Sequence, residues 1–193
     1  KPFFWIAVSA SFALATLEGT FGRLIKATLG YDERHFGIIF SYEAVLGVLV
    51  SVFALGWLGK RFCDTTLIRL GYVCQGVGLG LNPLAATLVP VAPGMVWLMI
   101  ASTIYAVGSG VVSPTLNALA SSTAPEEVQG ELFGTMQSAR TVGFIIGPIL
   151  GGFLFDIWHA APYVLATAVC LAVAIFLPQM CECPPNSKHV KPA

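Results

Sequence analysis

The stretch GTMQSARTVGFIIGPILGG, Gly134 to Gly152, sets one arginine, one proline and five glycines within an otherwise largely apolar run. Gly143, Gly147 and Gly151 are four apart, so on a helix they share one face. A face without side chains lets a neighbouring helix approach closely, which is how helices associate in a bilayer. Pro148 removes a backbone hydrogen bond and predicts a kink or hinge. Arg140 lies in the same run. A charge at the centre of a membrane helix costs at least about 2.5–3.5 kcal/mol on insertion scales. It therefore needs a counter-charge, water or a bound anion.

The rest of the chain fits a membrane setting. Of 193 residues, 56% are hydrophobic and 10% charged, with formal net charge zero and mean hydropathy +0.80. Soluble domains carry about 25% charged residues. A soluble globule of this size could not cover so much apolar surface. The neutral balance, without a basic patch, argues against a nucleic-acid partner. Five cysteines, Cys63, Cys74, Cys170, Cys181 and Cys183, show no zinc spacing. They read as unpaired thiols, with a palmitoylated tail at Cys181 and Cys183 as the sharper alternative. Lys1 before an apolar run resembles a signal peptide, but no A-x-A site follows and the run continues past Phe12, which favours a spanning helix.

Six runs reach the roughly 20 residues that cross a bilayer: Phe3 to about Leu29, Phe36–Leu58, about Thr66–Val89, Met95–Ala120, about Leu132–Phe155 and Pro162–Leu177. None alternates like a barrel strand, so the expected fold is an all-α membrane domain over residues 1–178. Residues 179–193 read as a polar, disordered tail. Thr123, Pro125 and Glu126 predict a capped surface helix before the fifth span. Lys1, Lys60, Arg61, Lys188 and Lys191 fall on one side, against Arg34 and Lys26 on the other. Both termini are thus expected on the cytoplasmic or equivalent side of an unspecified membrane. The second run ends GWLGKRF (Gly56–Phe62) and the fifth GFLFDIW (Gly152–Trp158), which suggests a three-plus-three repeat.

These features together resemble the major facilitator superfamily, more narrowly its drug:proton antiporter-like branch. Gly134, Gly143, Gly147-Pro148 and Gly151-Gly152 keep every spacing of that branch's antiporter motif. Gly56-Trp57-Leu58-Gly59-Lys60-Arg61-Phe62 is similar to the family's cytoplasmic loop signature, with Gly59 at the acidic position and Cys63 and Asp64 where the later Gly and Arg stand. Gly108-Ser109-Gly110 has no basic residue ahead of it, unlike the fourth helix of a family N-terminal half. The resemblance, over roughly Phe3 to Leu177, therefore implies a C-terminal six-helix half.

It also implies that the first, second, fourth and fifth helices approach a central cavity. Glu18, Glu43, Asn117, Gln137 and Arg140 lie on those helices as candidates for binding substrate or proton. Depth along the helices permits Arg140 to pair with Glu18 or Glu43. The set Gly134, Gly143, Gly147, Pro148, Gly151 and Gly152 is expected to pack and hinge the fifth helix, and Gly110→Ala to disturb its own helix far less than Gly147→Leu. Arg23 and Lys26 are expected to snorkel. Gln75, Asn82, Tyr42 and Tyr105 are weaker candidates, and His35, His159 and His189 stand isolated. No nucleophile–base pair, phosphate loop or metal cluster is present in the sequence, so neither an enzyme nor a cofactor or metal is expected. The reading is a secondary active transporter, in half or fragment, moving a small solute by alternating access, with the proton as the candidate coupling ion. Its partners would be the bilayer, the solute and a second six-helix half. The alternative is a transporter-derived structural subunit of a larger membrane complex.

Overall fold

The computed structural model describes residues 2–59, 61–88 and 91–180. The tail, its two cysteines, and Lys1, Lys60, Lys188 and Lys191, on which the expected orientation leans, lie outside the described residues. Six helical rods make up the fold, and no strand occurs among the described residues. They are α1 (Pro2–Leu29), α2 (Glu33–Leu58), α3 (Asp64–Leu88), α4 (Val91–Thr123), α5 (Gln129–Ile157) and α6 (Ala161–Met180). The apolar runs thus became the helices, within a few residues at each end.

Four rods contain spans long and apolar enough to cross a bilayer: Phe4–Leu29, Glu33–Leu58, Gly94–Ser122 and Glu126–Ile157. In α6 the apolar stretch is the shorter Ala161–Leu177. α3 has the length, but Asp64, Arg69, Gln75 and Asn82 dilute its apolar character.

Helix ends follow local chemistry. Gly30 closes α1 at φ +69°, a left-handed conformation that glycine adopts without steric cost. Asp32 then caps α2, its carboxylate accepting the His35 N–H. The expected cap before α5 did not form. Thr123 is the last residue of α4, and the short 3₁₀ turn Glu126–Val128 starts at Pro125 without a side-chain hydrogen bond. The α4 backbone is still helical at Thr123, and its side chain lies outside the described residues. α2 carries a π turn at Val50–Ala54. α5 runs uninterrupted through Pro148.

Packing shows the three-plus-three repeat. The most extensive pairings are α3 with α4 and α1 with α5; α3 also packs on α6, α2 on α4, and α1 on α6. Exchanging the first three helices for the last three maps each of these pairs onto another, or onto itself. α1 and the α3–α4 pair form the core, with Leu17, Phe21, Leu24, Ile68, Tyr72 and Leu98 fully buried. α2 is mostly uncovered: of Glu33–Leu49 only Ile39 is buried.

The glycine stripe is the α1–α5 seam. A Cβ at Gly143 would stand 2.8 Å from the Phe12 nitrogen, the Ser11 Cβ and the Val8 oxygen. One at Gly147 would stand 2.7 Å from Ala15 Cβ, and one at Gly151 3.2 Å from Thr20 Cγ2. Pro148 sits against Gly19 of α1. Gly134 and Gly152 take no close part: the first faces open space, and the second has only Arg23, 3.9 Å away. Gly110 is also closely packed, because a Cβ there would meet the Gly47 oxygen at 2.8 Å, where α4 crosses α2.

Candidate functional site

Between α1, α2 and α4 lies a cavity of about 510 Å³. Glu18 and Glu43 both line it, with Tyr105, Ser109, Ser113 and Asn117. The helices present these groups by simple periodicity: Leu14 and Glu18 are four apart on α1, and Ser109, Ser113 and Asn117 are four apart on α4. Phe40, Ala44, Gly47 and Val48 of α2 close the apolar side. Ser51, at the π turn, lies 2.8 Å from both the Gly47 and the Gly110 carbonyl oxygens, and so ties α2 to α4 at the cavity edge. π turns recur at functional sites because they re-aim side chains within a helix.

Arg140 is half-buried, and its Nη2 donates to Asn117 Oδ1 at 2.7 Å. The expected pairing with Glu18 or Glu43 is not formed. The ion pairs among the described residues are Arg23–Asp156, Lys26–Glu33 and His35–Asp32. Asn117 therefore links the arginine to the cavity that the acids line. The structure brings together Glu18, Glu43, Asn117 and, through Asn117, Arg140. Gln137 is exposed and stays apart, its backbone oxygen accepting from Thr141. Tyr42 hydrogen-bonds Thr103 at 2.9 Å, a contact between α2 and α4 rather than with the cavity.

A second cavity of about 380 Å³ opens where α1 meets α2, lined by Glu18, Arg23, Lys26, Asp32 and Glu33 among others. Glu18 belongs to both cavities. Charges here lie in pairs. Arg23 lies 2.6 Å from Asp156 of α5 and over the Phe155 ring, and Lys26 lies 3.9 Å from Glu33. His35 is not isolated: its ring stacks on Tyr31 and its Nδ1 lies 2.6 Å from Asp32 Oδ1. Hydrogen bonds from the His35 ring and backbone hold the Asp32 carboxyl below its ordinary range.

Sequence reading passed over the serines. Ser109 and Ser113 lie in the fourth run and signal their role only by i, i+4 spacing with Asn117. It also passed over the α3–α4 seam, where a Cβ at Gly78 would stand 2.6 Å from the Tyr105 nitrogen and one at Gly108 2.5 Å from the Gly71 oxygen. Among the described residues no three His, Cys, Asp or Glu side chains group as metal ligands.

Comparison with known proteins agrees with this architecture. Residues 3–192 match the profile of the Major Facilitator Superfamily. The chain is 28% identical over 185 residues to Multidrug resistance protein 1 of Bacillus subtilis strain 168, covering 96% of this chain and 45% of that protein. It is 30% identical over 128 residues to Quinolone resistance protein NorA of Staphylococcus aureus strain MRSA252, covering 64% of this chain and 32% of that one. The chain spans less than half the length of these relatives.

Proposed function

The chain belongs to the Major Facilitator Superfamily, and from that premise we propose that it is the C-terminal six-helix half of a secondary active transporter that moves a small solute by alternating access. The observation that carries this reading is the placement of Glu18 and Glu43 in the lining of one cavity, with no ion pair to either among the described residues. Acids inside a membrane domain are costly, and they are kept where they bind an ion or a solute. Here they can exchange a proton with water in one access state and meet the solute in the other. The coupling ion in this reading is the proton.

A second six-helix half would close the cavity, and the two halves would rock about a solute held near the midplane. The α1–α5 seam supports movement as one body. Its backbones are already in contact, so the two helices have no room to slide independently.

The test uses the full-length protein in vesicles with an imposed pH gradient. A quinolone is the first solute, because one relative is named for resistance to that class. Glu18→Gln and Glu43→Gln should each lose gradient-driven flux while solute binding persists. Flux at the wild-type rate in both variants would overturn the reading.

A further inference from the structure

Beside the cavity that holds the two acids lies a smaller one of about 150 Å³. Leu14, Tyr105, Ser109 and Ser113 line both, so they form the wall between them. The small cavity adds Arg140 from α5 and Gln75 from α3. Two independent features mark it as a built polar site. Arg140 has a hydrogen bond to Asn117 and no ion pair among the described residues, and a guanidinium carries five N–H donors. Gln75 is only 5% exposed, and its Oε1 has no hydrogen-bond partner. A buried acceptor left without a donor destabilises the fold, so an orphan of this kind marks a place where a donor arrives.

We propose that this cavity is an anion subsite. It takes the acid group of a solute that carries an O–H or N–H donor beside the acid, with the carboxylate on Arg140 and the donor on Gln75 Oε1. Simpler occupants meet only half of the requirement. A halide would neutralise Arg140, but it would face the lone pairs of Gln75 without a proton to give. A water would satisfy Gln75 and leave the charge of Arg140 uncompensated in a membrane domain. Volume limits the occupant further. Water occupies about 30 Å³ in the liquid, so the cavity holds an acid group and its neighbour, not a drug-sized molecule. The remainder of the solute would reach the larger cavity, beside Glu18 and Glu43, by displacing the Ser109 and Ser113 side chains that separate the two. The inference rests on the proposed transport reading in one respect: it assigns both cavities to one solute.

The test is binding of lactate, acetate and chloride to the purified full-length protein in neutral detergent, read by thermal-shift titration. Lactate carries acid and hydroxyl, acetate the acid alone. Lactate should bind about tenfold more tightly than acetate, the worth of one well-made hydrogen bond to a buried acceptor. Gln75→Leu should bring lactate down to the level of acetate, and Arg140→Gln should remove both. Should Arg140→Gln fail to fold, Gln75→Glu replaces it, since a carboxylate facing Arg140 fills the subsite from within and should abolish lactate binding. Equal lactate and acetate affinities in the unaltered protein, or a lactate preference that survives Gln75→Leu, would overturn the subsite. So would displacement of lactate by phosphatidylglycerol added to the micelles, which would give the site to a lipid phosphate. Failure here is distinguishable from failure of the transport reading. Flux lost in Glu43→Gln without any lactate preference removes the subsite alone, and a lactate preference with unaltered flux in that variant removes the transport reading alone.

Discussion

A methyl group added at Gly147 would stand 2.7 Å from Ala15 Cβ and 3.2 Å from the Phe12 oxygen, inside van der Waals contact with a neighbouring backbone. Gly147→Leu must therefore separate α1 from α5. Overpacking of this kind costs about 1–3 kcal/mol, and backbone neighbours cannot rotate away. Gly134→Ala is the matched control, because nothing lies within 4 Å of a Cβ there; it should shift stability by no more than about 0.5 kcal/mol. Thermal unfolding in detergent checks both, and equal midpoints would remove the seam as a determinant of stability. Asp32 offers a second test at this scale. Its hydrogen bonds from His35 depress the folded carboxyl, so their contribution is present above the unfolded value of about 3.9 and is lost as pH falls through the lower folded value. Asp32→Ala removes both the cap and this dependence. The unfolding midpoint of the variant should lie below that of the unaltered protein near neutral pH, and the gap should narrow below about pH 4. A gap that widened on acidification would reverse the sign and sink the argument.

At the scale of helices, the Arg23–Asp156 pair joins α1 to α5 near the same end at which α1 meets α2. Both side chains are more than half exposed, so the pair holds position more than it stabilises. A double-mutant cycle of Arg23→Ala and Asp156→Ala should give a coupling of about 0.2–1 kcal/mol that falls with added salt. A coupling insensitive to salt would mean that the cation–π contact with Phe155 dominates instead. The same scale shows what the sequence carried and what it did not. Apolar runs placed all six rods, because spanning a bilayer needs length and hydrophobicity in one continuous segment. The α1–α5 seam was legible because three glycines recur every four residues within a single helix. The α3–α4 seam was not, because Gly71, Gly78 and Gly108 come from two helices, and their meeting is a fact of packing. Arg140 stood out as a charge in an apolar run. Asn117 and Gln75 were legible as candidates, but not the Arg140–Asn117 bond or the unpartnered Gln75 Oε1, since nothing in one chain of letters says which helix faces will meet. Thr123 stands inside α4 rather than ahead of a new helix, because the α4 backbone runs past Ala120 to it.

At the scale of the whole molecule, six rods joined by short connections alternate in direction, so the connections fall into two sets. Asp32, between α1 and α2, and Asp156, at the end of α5, belong to one face, as the Arg23–Asp156 contact requires. Arg61, between α2 and α3, and Glu127, between α4 and α5, belong to the other. Lys and Arg near short connections set orientation by remaining on the cytoplasmic side, and Arg61 is flanked in sequence by Lys60. The face bearing Arg61 is therefore expected in the cytoplasm, and the vestibule lined by Asp32, Lys26 and Glu18 should open outward. Single cysteines at Asp32, Arg61, Glu127 and Asp156 test this in the full-length protein, with the native Cys63, Cys74, Cys170, Cys181 and Cys183 replaced to keep the background silent. An impermeant maleimide added to intact cells should label Asp32→Cys and Asp156→Cys. Arg61→Cys and Glu127→Cys should react only after permeabilisation. The inverted pattern would turn the molecule over and make Glu18 accessible from the cytoplasm. Labelling of Asp32→Cys and Arg61→Cys from the same side would mean that α2 does not cross the bilayer, and with it would go the cavity wall that carries Glu43.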